Sequence, residues 1–258
     1  MDHIVYSDLD GTLLDGSYSF EEARSALNML RERCIPLVLC SSKTRSEIEE
    51  YRGRMGLNDP FISENGSAIY VPDGTFSFDF DYDEIIGGHR VIGFGRRSGE
   101  VRRRIEEIRE VEGLDFKTFN DLTAEELSVE SGLQVGEAVL AKQREYSEVI
   151  LGLDDRERDI LEENGLNVVG GGRYFCVCES DKGTAVKTLT GLYRRAHPNV
   201  KTIGLGDSRN DVGMLEAVDI PVLVQKPDGS YENMGLDGIV RADGVGPVGW
   251  ASALDEIL

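Results

Sequence analysis

Long apolar runs are missing from these 258 residues, and none approaches the length that a bilayer span requires. The first residues also lack a basic stretch followed by an apolar one, so neither a secretory leader nor a membrane anchor is expected, and a cytoplasmic location is. Basic charge is scarce: 28 Lys and Arg against 48 Asp and Glu leave a formal net charge of −20. Affinity for a phosphate backbone or an anionic membrane comes chiefly from Lys and Arg, so neither nucleic acid nor membrane is an expected partner. A phosphorylated small molecule would have to be met by a local set of cations and a metal. The four cysteines, Cys34, Cys40, Cys176 and Cys178, have the spacing of neither a zinc site nor a disulfide framework. Cys176 and Cys178 alternate within Tyr174-Phe175-Cys176-Val177-Cys178 and read as small packers on one face of a strand. Repeats and low-complexity tracts are absent, and nothing specifies an oligomeric state.

What is there fits a soluble globular enzyme, with 40% hydrophobic and 29% charged residues spread along a chain long enough for a large α/β core carrying an insertion. A strand to Ser7, a helix over residues 20–33, a strand over 35–40 and a helix over 44–55 alternate as βαβα. That order implies a doubly wound, Rossmann-like parallel sheet with right-handed crossovers and a ligand site at the carboxyl ends of its strands. Phe61-Ile62-Ser63 and Ala68-Ile69-Tyr70-Val71 flank Asn65-Gly66 as a hairpin. After Pro72-Asp73-Gly74 the texture changes to mixed strands and helices until the triple glycine at 170–172, and from Ser180 the simple alternation resumes. The expected organisation is a catalytic core of residues 1–82 and 173–258 with an inserted α+β domain over 83–172.

Four short segments carry the chemistry. Asp8-Leu9-Asp10-Gly11-Thr12 follows the first strand, offering two carboxylates one residue apart and a glycine that lets the chain turn sharply. Gly206-Asp207-Ser208-Arg209-Asn210-Asp211 ends another strand with two carboxylates and an amide, oxygen ligands suited to a hard cation such as Mg2+. Between them lie Ser41-Ser42-Lys43-Thr44 at a strand-to-helix turn and Lys182 at a helix start, where hydroxyls, backbone N–H groups and an ammonium can hold phosphate oxygens. Each has a plain alternative, a polar loop, a helix cap or a solvated lysine, and only their ordered set points elsewhere.

In that order the four segments resemble the haloacid dehalogenase superfamily of phosphohydrolases. The resemblance implies Asp8 as nucleophile, Asp10 as general acid and base, and Ser41, Gly11 and Lys182 around the phosphoryl group. It implies Mg2+ held by Asp8, by Asp207 and by the backbone carbonyl of Asp10, with Asp211 in support of the metal and of Lys182. The insertion sits where the family carries type-two (C2B) caps. Asp59-Pro60-Phe61-Ile62-Ser63-Glu64-Asn65-Gly66, Ser41-Ser42-Lys43-Thr44-Arg45, Ile85-Ile86-Gly87-Gly88 and Arg144-Glu145-Tyr146-Ser147-Glu148 are similar to the mannosyl-3-phosphoglycerate phosphatases in particular. The implied substrate is a small phosphorylated sugar acid, with Lys43, Arg45, Glu64 and Asn65 expected at the entrance. Arg144 and Arg173 are the expected carboxylate or sugar contacts, against the alternative of surface ion pairs. Sucrose-phosphate-like and phosphoglycolate phosphatases, a phosphomannomutase and a silent binding module stand as competing readings.

Overall fold

A computed structural model describes residues 1–171 and 173–258. The chain opens with β1 (His3–Ser7), a 3-10 turn into α1 (Arg24–Glu32), β2 (Leu37–Cys40), α2 (Arg45–Met55) and β3 (Phe61–Ser63). A 3-10 turn at Glu64–Gly66 leads to β4 (Ala68–Pro72), then β5 (Glu84–Ile86) and β6 (His89–Gly93). The insertion follows: α3 (Ser98–Glu112), β7 (Lys117–Thr118), α4 (Ala124–Ser131), α5 (Val135–Ala141), β8 (Glu148–Leu151), α6 (Asp155–Glu163), β9 (Val168–Gly171) and β10 (Tyr174–Val177). The core resumes with α7 (Lys182–Ala196), β11 (Lys201–Gly206), α8 (Val212–Glu216), β12 (Ile220–Gln225), β13 (Val240–Val245) and α9 (Pro247–Ile257).

The main sheet runs β13-β12-β11-β1-β2-β3-β4-β6-β5, parallel from β13 to β3 and antiparallel beyond. The chain therefore starts in the middle, builds outward through β2 and β3, and later builds the other way through β11 to β13. That reversal opens a crevice at the carboxyl ends of β1 and β11. Alternation sorts the strand side chains into two layers. Val5, Leu37, Leu39, Phe61 and Ile203 pack with α1, α2 and α9 around Trp250. Ile4, Tyr6, Val38 and Ile62 pack with α7 and α8. Such burial on both faces is why β1 and β2 read as continuous apolar runs.

A second, four-stranded antiparallel sheet runs β7-β8-β10-β9. Ile150 and Phe175 pack on α3 and α6, while Val149 and Leu151 pack on α4 and α5. The sheets revise the expected boundaries. Residues 84–93 were assigned to the insertion, yet β5 and β6 extend the main sheet, with Tyr70 opposite Val91, because the apolar face of β4 continues into them. At the other end, Tyr174–Val177 belongs to the second sheet rather than to the core. The expected end of the insertion, Gly172, lies outside the described residues. β13, an edge strand of mixed polarity, has no counterpart among the sequence-based elements.

Candidate active site

At the carboxyl end of β1 the Asp8 N–H donates to the Leu205 carbonyl of β11 (3.0 Å), which fixes Asp8 in the seam between the two strands. Lys182 begins α7, whose first turn is capped by the Asp181 carboxylate accepting from the Thr184 N–H. The Lys182 ammonium, fully buried, donates to Asp8 Oδ1 and Asp211 Oδ1, both at 2.6 Å. Asp211 Oδ2 accepts the N–H groups of Asp207 and Ser208 at 3.1 Å, and Asp207 Oδ1 accepts from the Thr12 hydroxyl at 3.1 Å. Carboxylate oxygens of Asp8, Asp207 and Asp211 all lie within 4.8 Å of one another.

Three ionised carboxylates facing one ammonium leave two negative charges unmatched. Burial, opposed by Lys182 and reinforced by Asp211 and Asp207, pushes Asp8 well above the usual carboxylate range. Burial first, then Asp211, raises Asp207 to about 6. A divalent, oxygen-seeking cation would relieve both, so the donor set fits Mg2+. Gly11 makes room for it: its φ is +80°, and a Cβ there would come within 2.7 Å of Asp207 Oδ2.

The carboxylate of Asp10 stands apart from that cluster. The strand ends at Ser7, and the turn through Gly11 leads the chain past Asp10, which stands in the wall of a cavity of about 860 Å3 lined by residues of the core and of the insertion. There Asp10 Oδ2 meets Lys43 Nζ at 2.9 Å. Lys43 is nearly buried, with Glu47 at 3.9 Å and the Tyr18 ring at 5.0 Å. Asn65 also lines the cavity and its Oδ1 accepts from Asn210 Nδ2 at 3.4 Å. From the insertion comes Arg144, 8% exposed, whose Nη1 and Nη2 donate to the Ser42 carbonyl at 3.3 and 2.8 Å. Its Nε has no partner among the described residues, so the guanidinium keeps donor capacity for an anion. Cys176 is in the wall as well, its thiol drawn below its ordinary value by the neighbouring Cys178 thiol against burial, with Arg144 assisting.

Ser41 is fully buried at the end of β2, as Lys182 is at the start of α7; its Oγ accepts the Lys43 N–H (3.3 Å), and Ser42 lines the cavity. Three other expected site residues are placed differently. Arg45 is taken up by Glu145 (2.9 Å) and Glu49 (3.1 Å) and does not line the cavity. Glu64 is fully buried and bonded to residues 145–147 instead of facing the entrance. Arg173 is exposed and paired with Glu130 at 2.9 Å, beside a separate groove near Lys117, which is the surface ion pair weighed as the alternative. Such an exposed, solvent-screened pair contributes little to stability.

Sequence reasoning missed Thr12 as a partner of Asp207, and it missed Trp250, whose Nε1 donates to Ser7 Oγ (2.9 Å) beside Asp8. Tyr18 and Arg158, which line the cavity, were missed too. Thr12 directly follows Asp8-Leu9-Asp10-Gly11 and was legible there. The others reach the site only through folding, from a loop and from helices with no local mark of function.

A model of the haloacid dehalogenase-like hydrolase family matches residues 5–81. Over its whole length the chain is 45% identical to the glucosyl-3-phosphoglycerate/mannosyl-3-phosphoglycerate phosphatase of Methanococcoides burtonii, covering 98% of that protein. It is 36% identical to the protein of the same description from Persephonella marina, with 99% of this chain and 97% of that one covered. A crystal structure of a Thermoplasma acidophilum protein superposes with a TM-score of 0.70 at 16% identity, covering 99% of this chain and 98% of the other, a likeness of fold.

Proposed function

Since the chain belongs to the haloacid dehalogenase-like hydrolases, in the group of its sugar-phosphoglycerate phosphatase relatives, we propose that it is a Mg2+-dependent phosphomonoester hydrolase acting through an aspartyl-phosphate on Asp8. The substrate in this reading is mannosyl-3-phosphoglycerate, cleaved to mannosylglycerate and phosphate, with the glucosyl analogue accepted as the names of the relatives suggest. The observation that carries it is the buried Lys182 ammonium held between Asp8 and Asp211 with Asp207 alongside.

Asp8 attacks phosphorus while the bond to the glycerate oxygen breaks, and Asp10, on the cavity wall, gives its proton to that leaving oxygen. Asp10 then takes a proton from the water that hydrolyses the aspartyl-phosphate, which returns Asp8 and frees phosphate. Lys182 offers a fixed positive charge to a phosphoryl oxygen next to Asp8, and Lys43 offers a second from beside Asp10. Asp8, Asp207 and the backbone carbonyl of Asp10 would hold Mg2+, whose charge would offset that of the phosphate dianion and the carboxylates. Asp211, fully engaged by Lys182 and by two N–H groups, orients rather than ligates. Residues 97–178, the cap of this reading, roof the cavity, exclude water and bring Arg144 to the substrate carboxylate.

The test is phosphate release from mannosyl- and glucosyl-3-phosphoglycerate against a panel of simple sugar phosphates, with EDTA and then added Mg2+. Turnover of the sugar-phosphoglycerates that EDTA stops and Mg2+ restores is the expected result. Full activity in metal-free buffer would refute the metal role, and preference for a simple sugar phosphate would refute the substrate.

A further inference from the structure

The turn Glu64-Asn65-Gly66 joins β3 to β4 and touches both halves of the site. Glu64 (φ 49°) and Asn65 (φ 58°) are consecutive non-glycine residues in the left-handed region. Glu64 Oε1 accepts the Glu145 N–H at 2.8 Å, and Oε2 accepts the Tyr146 N–H at 3.1 Å and the Ser147 hydroxyl at 2.5 Å. The carboxylate is fully buried, and no lysine or arginine pairs with it among the described residues. Asn65 donates its N–H to the Ser41 carbonyl (3.0 Å), and its Oδ1 accepts from Asn210 Nδ2. One residue before Glu145 on the same stretch is Arg144, whose only hydrogen bonds within the described residues go to the Ser42 carbonyl.

Burying a carboxylate against neutral donors is costly unless its two oxygens do something that a neutral side chain cannot. Here the three donors all lie on the stretch that delivers Arg144 to the cavity. We propose that Glu64 is a positioning residue for substrate selection: its carboxylate latches residues 145–147 to the core and so holds the Arg144 guanidinium where the substrate carboxylate binds. The inference rests on the reading of the cavity as the sugar-phosphoglycerate site. The same stretch has further anchors, since Thr44 Oγ1 donates to the Leu140 carbonyl (3.0 Å), Ser46 to Gln143 (2.6 Å) and Arg45 pairs with Glu145. Removing the latch therefore loosens Arg144 without detaching the cap.

The experiment uses Glu64→Gln, which keeps the shape but sets an amide NH2 against donors. KM for mannosyl-3-phosphoglycerate should rise about tenfold or more, while kcat on p-nitrophenyl phosphate stays within about twofold. In an Arg144→Ala background the same change should raise KM no further, because the residue it positions is gone. Hydrogen exchange of the Glu145 and Tyr146 amides should accelerate in the variant, with β8 still protected. An equal loss on both substrates, an additive double mutant, or unchanged exchange at 145 and 146 would overturn the proposal. Should Glu64→Gln fail to fold, Ser147→Ala removes one donor and should raise KM in the same direction by a smaller factor; no change in KM there would overturn it. If the wild type turns over other esters but no sugar-phosphoglycerate, the functional reading has failed, and the latch is then decided by amide exchange alone.

Discussion

Asp8 combines deep burial with an ammonium contact, and substitution separates the two contributions. Asp8→Asn keeps the shape and can still accept from Lys182, so the fold should survive while phosphate release falls to background. Near-normal turnover in that variant would end the aspartyl-phosphate proposal. Asp207 gives a pH signature. Its folded pKa, raised to about 6 in the absence of metal, exceeds its unfolded value, so the metal-free folded state holds more protons between roughly pH 4 and 6. That group's stabilising contribution is thus present at low pH and lost as pH rises through 6. The gain in Tm from Asp207→Asn in metal-free protein should accordingly be larger near pH 7.5 than near pH 5, and Mg2+ should abolish the difference in the wild type. A pH-independent gain would show that burial does not strain this carboxylate. By the same competition, half-saturating Mg2+ should rise as pH falls below about 6.

Among the elements, the β3–β4 turn and the stretch between α5 and β8 decide how the two halves meet. Two left-handed non-glycine residues cost about 1–2 kcal/mol each, and Gly66 follows them with φ +91° against the start of α7. A Cβ at Gly66 would stand 2.1 Å from the Asp181 carbonyl oxygen. Gly66→Ala should therefore shift Lys182 or unfold the junction, with a loss of more than about 3 kcal/mol in denaturant melts. A loss under 1 kcal/mol would mean the turn can re-form around a side chain. Arg144 is on the other element. Arg144→Ala should lower kcat/KM for the sugar-phosphoglycerate by roughly 2–5 kcal/mol, at least about thirtyfold, and far less for p-nitrophenyl phosphate, which has no carboxylate to lose. Equal losses on both would return Arg144 to a structural role.

Across the whole molecule, the two ends of the chain meet beneath the site. Trp250 on α9 is fully buried in the layer under β1, and its N–H holds the Ser7 hydroxyl, which in turn donates to the Asp8 carbonyl (2.7 Å). Trp250→Phe removes the donor and part of the volume, leaving Ser7 under-satisfied, and should cost about 1–3 kcal/mol of stability with a detectable fall in kcat. An unchanged melt would show that Ser7 finds another partner. Among the described residues no helix is long and apolar enough to cross a membrane, in keeping with the absence of long apolar runs.

The alternation of short apolar runs with amphipathic helices was enough to derive a parallel sheet with its site at the strand ends, because strand period and crossover handedness are local rules. Asp8, Asp207, Asp211 and Lys182 were legible for the same reason: each sits at the end of a strand or the start of a helix, and the winding of the sheet brings those ends together. What only the tertiary structure decided are the partners chosen between segments far apart in sequence. Glu64 and Arg45 carry the charges expected at an entrance, yet residues 145–147 and Glu145 take them up. Arg173 carries the same guanidinium as Arg144 but emerges just before β10 at the protein surface, beside Glu130. A side chain's type sets what it can bind; which of its possible partners lies within about 3 Å depends on how the core and the cap pack.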